Sequence, residues 1–346
     1  YKFITTGAVS RLEASGKGIS TVSNVGGKNK AKTPRIWIAT HDSNLVNRLD
    51  TGSGKLISVF PSFGSNPSRG AVALDDTYWI GNRCPSDPTN GACSNVAQLN
   101  NDGTQGCLVG KAADGKPLPF VRAIAVDAEG FVWLGTWNDH RIHKIDPLSC
   151  KAAESYTLPD GANPYGFAVD SKGLLWISSP SSPSNPLRSF NTKTGKVVDS
   201  VSRPHNTYGV VVDGDDNAWF AGWCTNHIMK IDAKTKKLTD ITIPGLSSAW
   251  SARGMAVDVD GNIWAAVGHY CSGSSCDHPG YVIKFQKSTG KHLGTYKVGG
   301  DFGGGALGIS MDANGRIWVT SVCSSKVARI NKDTGATELV ANLYGT

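Results

Sequence analysis

Seven of the ten tryptophans in this chain fall at one recurring kind of position. Trp37, Trp79, Trp133, Trp176, Trp219, Trp264 and Trp318 each sit in a short apolar run of β character: RIWIAT, TYWIGN, FVWLGT, LLWISS, NAWFAG, NIWAAV and RIWVTS. The steps between them are 42, 54, 43, 43, 45 and 54 residues, so a unit of about 43 residues repeats, twice with an insertion. A unit that short, made of strands and turns, cannot bury its own apolar face and must stack on further copies. Seven copies predict an all-β fold, a seven-bladed β-propeller of four-stranded antiparallel blades.

The stretch YGVVVDGDDNAWFAGWCTNHIMKIDAKTKKLTDITIP shows how one unit is written. It reads as strand a (residues 210–213), a tight Asp/Gly/Asn turn, strand b (218–222), a loop, strand c (228–232), a Lys-rich turn and strand d (238–243). The same order recurs in AIAVDAEGFVWLGT, GFAVDSKGLLWISS, GMAVDVDGNIWAAV and GISMDANGRIWVTS. Asp258, Asp260 and Asn262 in DVDGN look like part of a calcium loop, but the turn recurs in nearly every unit, which argues for hairpin chemistry. Blades are expected at about 34–61, 69–112, 122–158, 165–203, 208–244, 253–298 and 307–343. Residues 1–33 fit the pattern less well; AVSRLEA and ISTVSNV read as two strands, one of which completes the first blade or zips against the last. The repeated tryptophan is expected in the wedge between neighbouring blades, as core and not as a sugar platform.

The repeat leaves no room for a second core, so residues 1–346 are read as one domain. With 41 glycines and only 18% charged residues the composition is that of a turn-rich β protein, and no run of 18 apolar residues offers a membrane span. A chain opening at Tyr1 is expected to start at a processed or trimmed end. Eight cysteines without zinc spacing point to disulfides and to an extracellular or periplasmic location. Cys84 with Cys93, Cys271 with Cys276, and Cys107 with Cys150 are plausible pairs. Cys224 and Cys323 remain, and these last assignments are free to reshuffle with Cys271 and Cys276. A net charge of +7 favours acidic partners, although the lysines sit mostly in turns and form no dense stripe. RNA-binding aromatic motifs and Gly-rich phosphate loops are missing, so nucleic acid is not expected.

In this topology the d–a and b–c loops open on one face, around the central channel. Eleven residues before the tryptophans, at the start of strand a, stand Arg122, Tyr165, Tyr208, Arg253 and Leu307, with Arg69 equivalent after a shorter hairpin. Four residues after them, at the b–c loop, stand His41, Arg83, Trp137, Pro180, Trp223, Gly268 and Val322. Here the copies stop agreeing, as expected of a ligand site and not of packing. Arg69, Arg83, Arg122, Trp137, Tyr165, Tyr208 and Trp223 suit a planar anionic or sugar-like ligand, because arginine grips carboxylate through paired hydrogen bonds. Six histidines (His41, His140, His205, His227, His269 and His278) also fall in or beside loops of this face.

The carboxylates discriminate between chemistries. Glu13, Glu129, Glu154 and Glu338 all map away from this face, leaving only aspartates, which disfavours a paired-acid glycosidase. Proton abstraction beside a carboxylate needs instead a His or Tyr base and an Arg or metal to hold the developing enolate. His269 and Tyr270, with His41 and Arg253, form the expected catalytic group.

The pattern in YGFAVDSKGLLW and RGMAVDVDGNIW, followed by a K-I-D strand, resembles the virginiamycin B lyase family of seven-bladed propellers and, more loosely, NHL-type repeats. The resemblance covers the chain from about residue 34. It implies a carbon–oxygen lyase working by metal-assisted elimination with histidines and a glutamate in the late blades, a glutamate whose place here would have to be taken by Asp277. Residue by residue, that places His269, Asp277 and His278 as ligands of a divalent cation, Mg or Ca, though a cysteine-bounded insertion alters their spacing. Related propellers that cleave uronic polysaccharides by elimination use Arg, Tyr and His without a metal, whereas six-bladed lactonase-like propellers fit worse because their metal-binding Glu has no counterpart. The expected function is β-elimination on an anionic carbohydrate or a lactone-type compound. The competing expectation is a non-catalytic extracellular binding, adhesion or assembly module, using the same face to dock an anionic glycan, a small molecule or a partner protein.

Overall fold

The computed structural model describes residues 19–22, 35–181, 184–271, 275–312 and 314–345. Seven four-stranded antiparallel sheets follow one another along the chain, spanning 19–61, 67–109, 121–157, 166–201, 207–242, 250–297 and 306–342. The innermost strands of successive sheets touch one another all the way round, from the first to the seventh and back, which closes a seven-bladed propeller.

Strand a of the first blade is Ile19–Val22, lying antiparallel to Arg35–Thr40 with Ile19 opposite Ile38. Residues 19–22 therefore complete the first blade. The second expected strand, AVSRLEA, lies outside the described residues. Closure comes from packing and hydrogen bonds between the two terminal blades. Trp318 buries against Ile36, Ile38 and Leu49 of the first blade. Arg329 donates to the carbonyls of Thr51 at 2.9 Å and Gly52 at 2.7 Å, and the Tyr344 N–H donates to Asn47 Oδ1 at 2.7 Å.

All seven repeated tryptophans are fully buried, and each joins the apolar cluster it shares with the next blade. The indole N–H of such a side chain is stabilised where the wedge offers it an acceptor, although those of Trp37 and Trp79 have none among the described residues. In the third, fifth, sixth and seventh blades the indole donates to an aspartate six residues earlier: Trp133 to Asp127, Trp219 to Asp213, Trp264 to Asp258 and Trp318 to Asp312, at 2.8 to 2.9 Å. The other oxygen of each carboxylate accepts turn N–H groups, such as those of Asp260 and Asn262 on Asp258. One aspartate thus pins the a–b hairpin to the blade wedge. This is the physical content of the D-x-x-G turn, and it uses the oxygens a calcium ion would need.

All eight cysteines are paired. Cys84–Cys93 closes the insertion in the second blade, and Cys107–Cys150 ties the second blade to the third. Cys271 and Cys276 do not pair with each other: Cys224 joins Cys271, and Cys276 joins Cys323. The b–c loops of adjacent blades emerge side by side, so the sixth blade's loop bonds to both of its neighbours, whereas Cys224 and Cys323 sit two blades apart. No helix is long and apolar enough to cross a membrane among the described residues.

Candidate functional site

The rim side chains are aimed by a local irregularity in strand a. In the fifth, sixth and seventh blades the a–b ladder slips between Thr207 and Val210, Ala252 and Met255, and Ala306 and Ile309. Two residues of strand a there oppose one of strand b, and those two are Tyr208-Gly209, Arg253-Gly254 and Leu307-Gly308. In the third blade the extra residue is Arg122 itself, between Val121 and Ala123. A bulge turns its side chain out of the ladder direction, here into the channel. The glycine that follows lets the next inner strand approach: a Cβ on Gly209 would stand 2.2 Å from the Arg253 carbonyl oxygen, and one on Gly254 would stand 2.8 Å from that of Leu307.

The result is a cavity of about 450 Å³ at the channel mouth, whose wall includes His41, Arg69, Arg83, Arg122, Tyr165, Tyr208 and Arg253. Arg122 is almost wholly buried; it donates to Ser68 Oγ at 3.1 Å and makes a short bond to the Tyr165 hydroxyl. Arg69 lies 5.1 Å and 5.0 Å from the ring centres of Tyr165 and Tyr208, and Arg253 lies 4.7 Å from those of Tyr208 and Trp223. Among the described residues, none of Arg69, Arg83, Arg122 and Arg253 has a carboxylate within 4.0 Å. The buried Nε atoms of Arg122 and Arg253 also lack a hydrogen-bond partner there. Guanidinium charge concentrated in a confined space, with donors left over, is costly unless an anion completes it.

The electrostatics follow from that crowding. Burial, and then the neighbouring Arg69, lowers the Arg83 pKa to about 10, and the same two causes hold Arg122 well below the usual arginine range. Burial by itself pushes the Tyr208 phenol up, but Arg69, Arg253 and Arg122 outweigh it and bring that group down to about 7. Tyr208 is thereby poised to hold or release a proton at neutral pH, the range in which a general base works best. His41, half exposed at the mouth beside Asp42, is shifted down by burial and then by Arg83.

The remaining predicted residues are distributed as follows. Trp137 and Trp223 stand behind the tyrosines, Trp137 edge-on to Tyr165 at 5.4 Å and Trp223 stacked on Tyr208 at 4.9 Å; neither is part of the cavity wall. Tyr270 is also outside the wall. Its hydroxyl donates to the Ala306 carbonyl at 2.6 Å, Arg253 covers its ring at 3.8 Å, and burial pushes its pKa up. His269 packs against Trp250 and lies 3.9 Å, ring to ring, from His278. The structure therefore brings His41 and Arg253 to the cavity but leaves His269 and Tyr270 outside it. Nor do His269, Asp277 and His278 gather: among the described residues they do not place three ligand atoms within 4.8 Å of one another.

Sequence reasoning treated Tyr208 only as a contact for substrate and did not single out Ser68. A signal was available in the repeated rim dipeptide, Arg69-Gly70, Tyr165-Gly166, Tyr208-Gly209, Arg253-Gly254 and Leu307-Gly308, which marks one bulky side chain beside one close backbone approach.

Fold and mouth together define a seven-bladed propeller with a basic, aromatic-lined cavity. The model of the two component regulator propeller family matches residues 115–138, the first hairpin of the third blade. Among solved structures, a streptogramin B lyase is similar with a TM-score of 0.65 and 19% identity over 90% of this chain and 92% of the other. A catalytically inactive histidine-to-alanine variant of virginiamycin B lyase from Staphylococcus aureus with quinupristin gives 0.65 and 18% over 90% and 93%. Dihydro-heme d1 dehydrogenase in complex with DHE gives 0.60 and 14% over 95% and 72%. At these identities the likeness establishes the shared fold. No curated protein matches the chain in sequence.

Proposed function

We propose that the channel mouth binds a carboxylate-bearing ligand and that the protein is a carbon–oxygen lyase acting on it by β-elimination, outside the cytoplasm. The observation that carries the reading is the set of four arginines around one cavity with no carboxylate partner among the described residues. Arg122 and Arg253, from bulges in two different blades, are placed to grip a carboxylate and steady an enolate. The Tyr208 phenolate takes the proton from the carbon beside that carboxylate. The electron pair forms the new C=C bond, the C–O bond on the next carbon breaks, and the departing oxygen is protonated by water at the open side near His41. Four disulfides support a location in an oxidising compartment. The streptogramin B lyase among the structural neighbours is a lyase of similar fold, which supports the reading by analogy alone.

The test is a panel of uronate polymers and lactone-bearing carboxylates, followed by ultraviolet absorbance of an unsaturated product. Product with the wild type and its loss in Tyr208→Phe support the reading. Binding without product across the panel favours the second reading, a non-catalytic module docking an anionic glycan, small molecule or protein at the same face. The withdrawal of Tyr270 into a bond with Ala306 favours that alternative, since it leaves a single poised group. No binding of any anion sinks both.

A further inference from the structure

Away from the channel mouth, on the outer strands of the fifth blade, two imidazoles converge on one carboxylate. His205 comes from the connection between the fourth and fifth blades, His227 opens strand c (His227–Ile231), and Asp240 lies in strand d (Leu238–Thr242). Their meeting follows from register. Asp240 stands opposite Met229, so it shares a face with His227 two residues earlier and is its diagonal neighbour. His205 then descends onto the pair from the interblade connection.

The distances are those of hydrogen bonds and also those of neighbouring ligands in a metal's shell. His205 Nε2 is 3.2 Å from Asp240 Oδ2, His227 Nδ1 is 3.0 Å from Asp240 Oδ1, and the two rings are 4.3 Å apart. One ligand atom from each of the three lies within 4.8 Å of the others, the sole such grouping of three or more among the described residues. With metal–ligand bonds near 2.0–2.1 Å, neighbouring corners of a tetrahedron stand about 3.3 Å apart. Small side-chain rotations would complete three corners, and the partly exposed site leaves the fourth to water. Among the described residues Asp240 has no lysine or arginine within 4.0 Å, so its charge is shared by the imidazoles alone.

We propose that His205, His227 and Asp240 bind a divalent first-row transition ion of the zinc class. Two imidazoles and one carboxylate exclude magnesium and calcium as preferred occupants, because those ions favour all-oxygen shells. Bound there, the ion ties the interblade connection to the outer strands of the fifth blade. That junction has no disulfide, whereas the fifth-to-sixth and sixth-to-seventh junctions each have one.

The experiment is calorimetric titration of the chelator-treated protein with zinc chloride, with magnesium chloride in parallel. Expected are one equivalent of zinc bound, no magnesium heat, a raised Tm, and the visible absorption of a tetrahedral site when cobalt(II) replaces zinc. Losing a second-sphere partner of a metal costs about 10–100-fold in affinity. Asp240→Asn should therefore weaken zinc by more than about tenfold, and so should His205→Gln, a loop substitution whose folding circular dichroism verifies. A His269→Gln, His278→Gln double variant should bind as the wild type does. No zinc binding by the wild type overturns the proposal. So does binding that survives both Asp240→Asn and His205→Gln, or that disappears only in the His269/His278 variant.

Discussion

On the outer belt of the blades Arg329 lies 5.9 Å from the Trp318 ring centre and donates to Glu338 at 2.8 Å, whereas at the channel mouth Arg253 faces Tyr270 and Trp223 with no carboxylate within 4.0 Å among the described residues. The outer arrangement recurs across the propeller. Strand c places a cation directly across from the wedge tryptophan: Arg48 from Trp37, Lys144 from Trp133, Lys230 from Trp219, Lys284 from Trp264 and Arg329 from Trp318. Lys144 has Glu154 at 3.5 Å and Lys284 has Asp258 at 3.4 Å. Outer cations thus lie along aromatic faces, and three of the five, Lys144, Lys284 and Arg329, also have a carboxylate partner. Inner cations use the same ring geometry, but among the described residues none has a carboxylate within 4.0 Å, and the Tyr208 phenol and the more distant Asp42 offset their charge only in part.

The strongest way to break this comparison is to remove a balancing acid from the outer set. Asp258→Ala leaves the Trp264 indole, two turn N–H groups and Lys284 without their shared partner, and should cost about 3–5 kcal/mol in denaturant unfolding. A loss under about 1 kcal/mol would show that the belt is not balanced in the way described. At the mouth the opposite is expected. Arg122→Met removes a buried guanidinium from a like-charged cluster, so stability should hold or rise, while affinity for a carboxylate ligand should fall about tenfold to a hundredfold. Simple destabilisation with unchanged binding would erase the distinction between the regions.

Two titrations sharpen it further. Tyr208 has a folded pKa of about 7 against an ordinary 10.0, so its phenolate favours the folded state. Stability should gain an increment as pH rises from about 7 to about 10, lose it as pH falls back through 7, and show no such slope in Tyr208→Phe. Ultraviolet difference spectra should place one phenolate near neutrality. His143, buried in strand c between Thr136 and Ser155, has its pKa lowered from 6.5 to about 3, chiefly by burial. It resists protonation when folded, so its contribution is complete above about 6.5 and is lost as pH falls toward 3; His143→Gln should flatten that acid limb. The smallest effect belongs to the exposed pair of Lys193 and Glu129, 3.5 Å apart, where Lys193→Ala should change stability by less than about 0.5 kcal/mol.

Much of the mouth was legible before any coordinates, because rim positions can be counted from the tryptophans. Arg69, Arg122, Tyr165, Tyr208 and Arg253, reached by that count, stand in one wall. His269 and Tyr270 lie outside that count and are linked in the sequence only by adjacency, which says nothing about which way a loop residue turns. Tyr270 lies under Arg253 and bonds Ala306, and His269 and His278 pack together against Trp250. The disulfides of the late blades failed for a related reason: the shortest sequence separation suggested Cys271 with Cys276, but the nearest sulfur belonged to the next blade on either side.

Periodicity alone determined the blade number, the four-strand grammar and the burial of the seven tryptophans, because a repeated apolar pattern has few ways to hide from water. Which side chains share a cavity, which phenol sits among guanidiniums, and which imidazoles find a common carboxylate were decided only by the closed ring. Those relations join residues from different blades, and they depend on bulges and loop paths that a one-dimensional count does not encode.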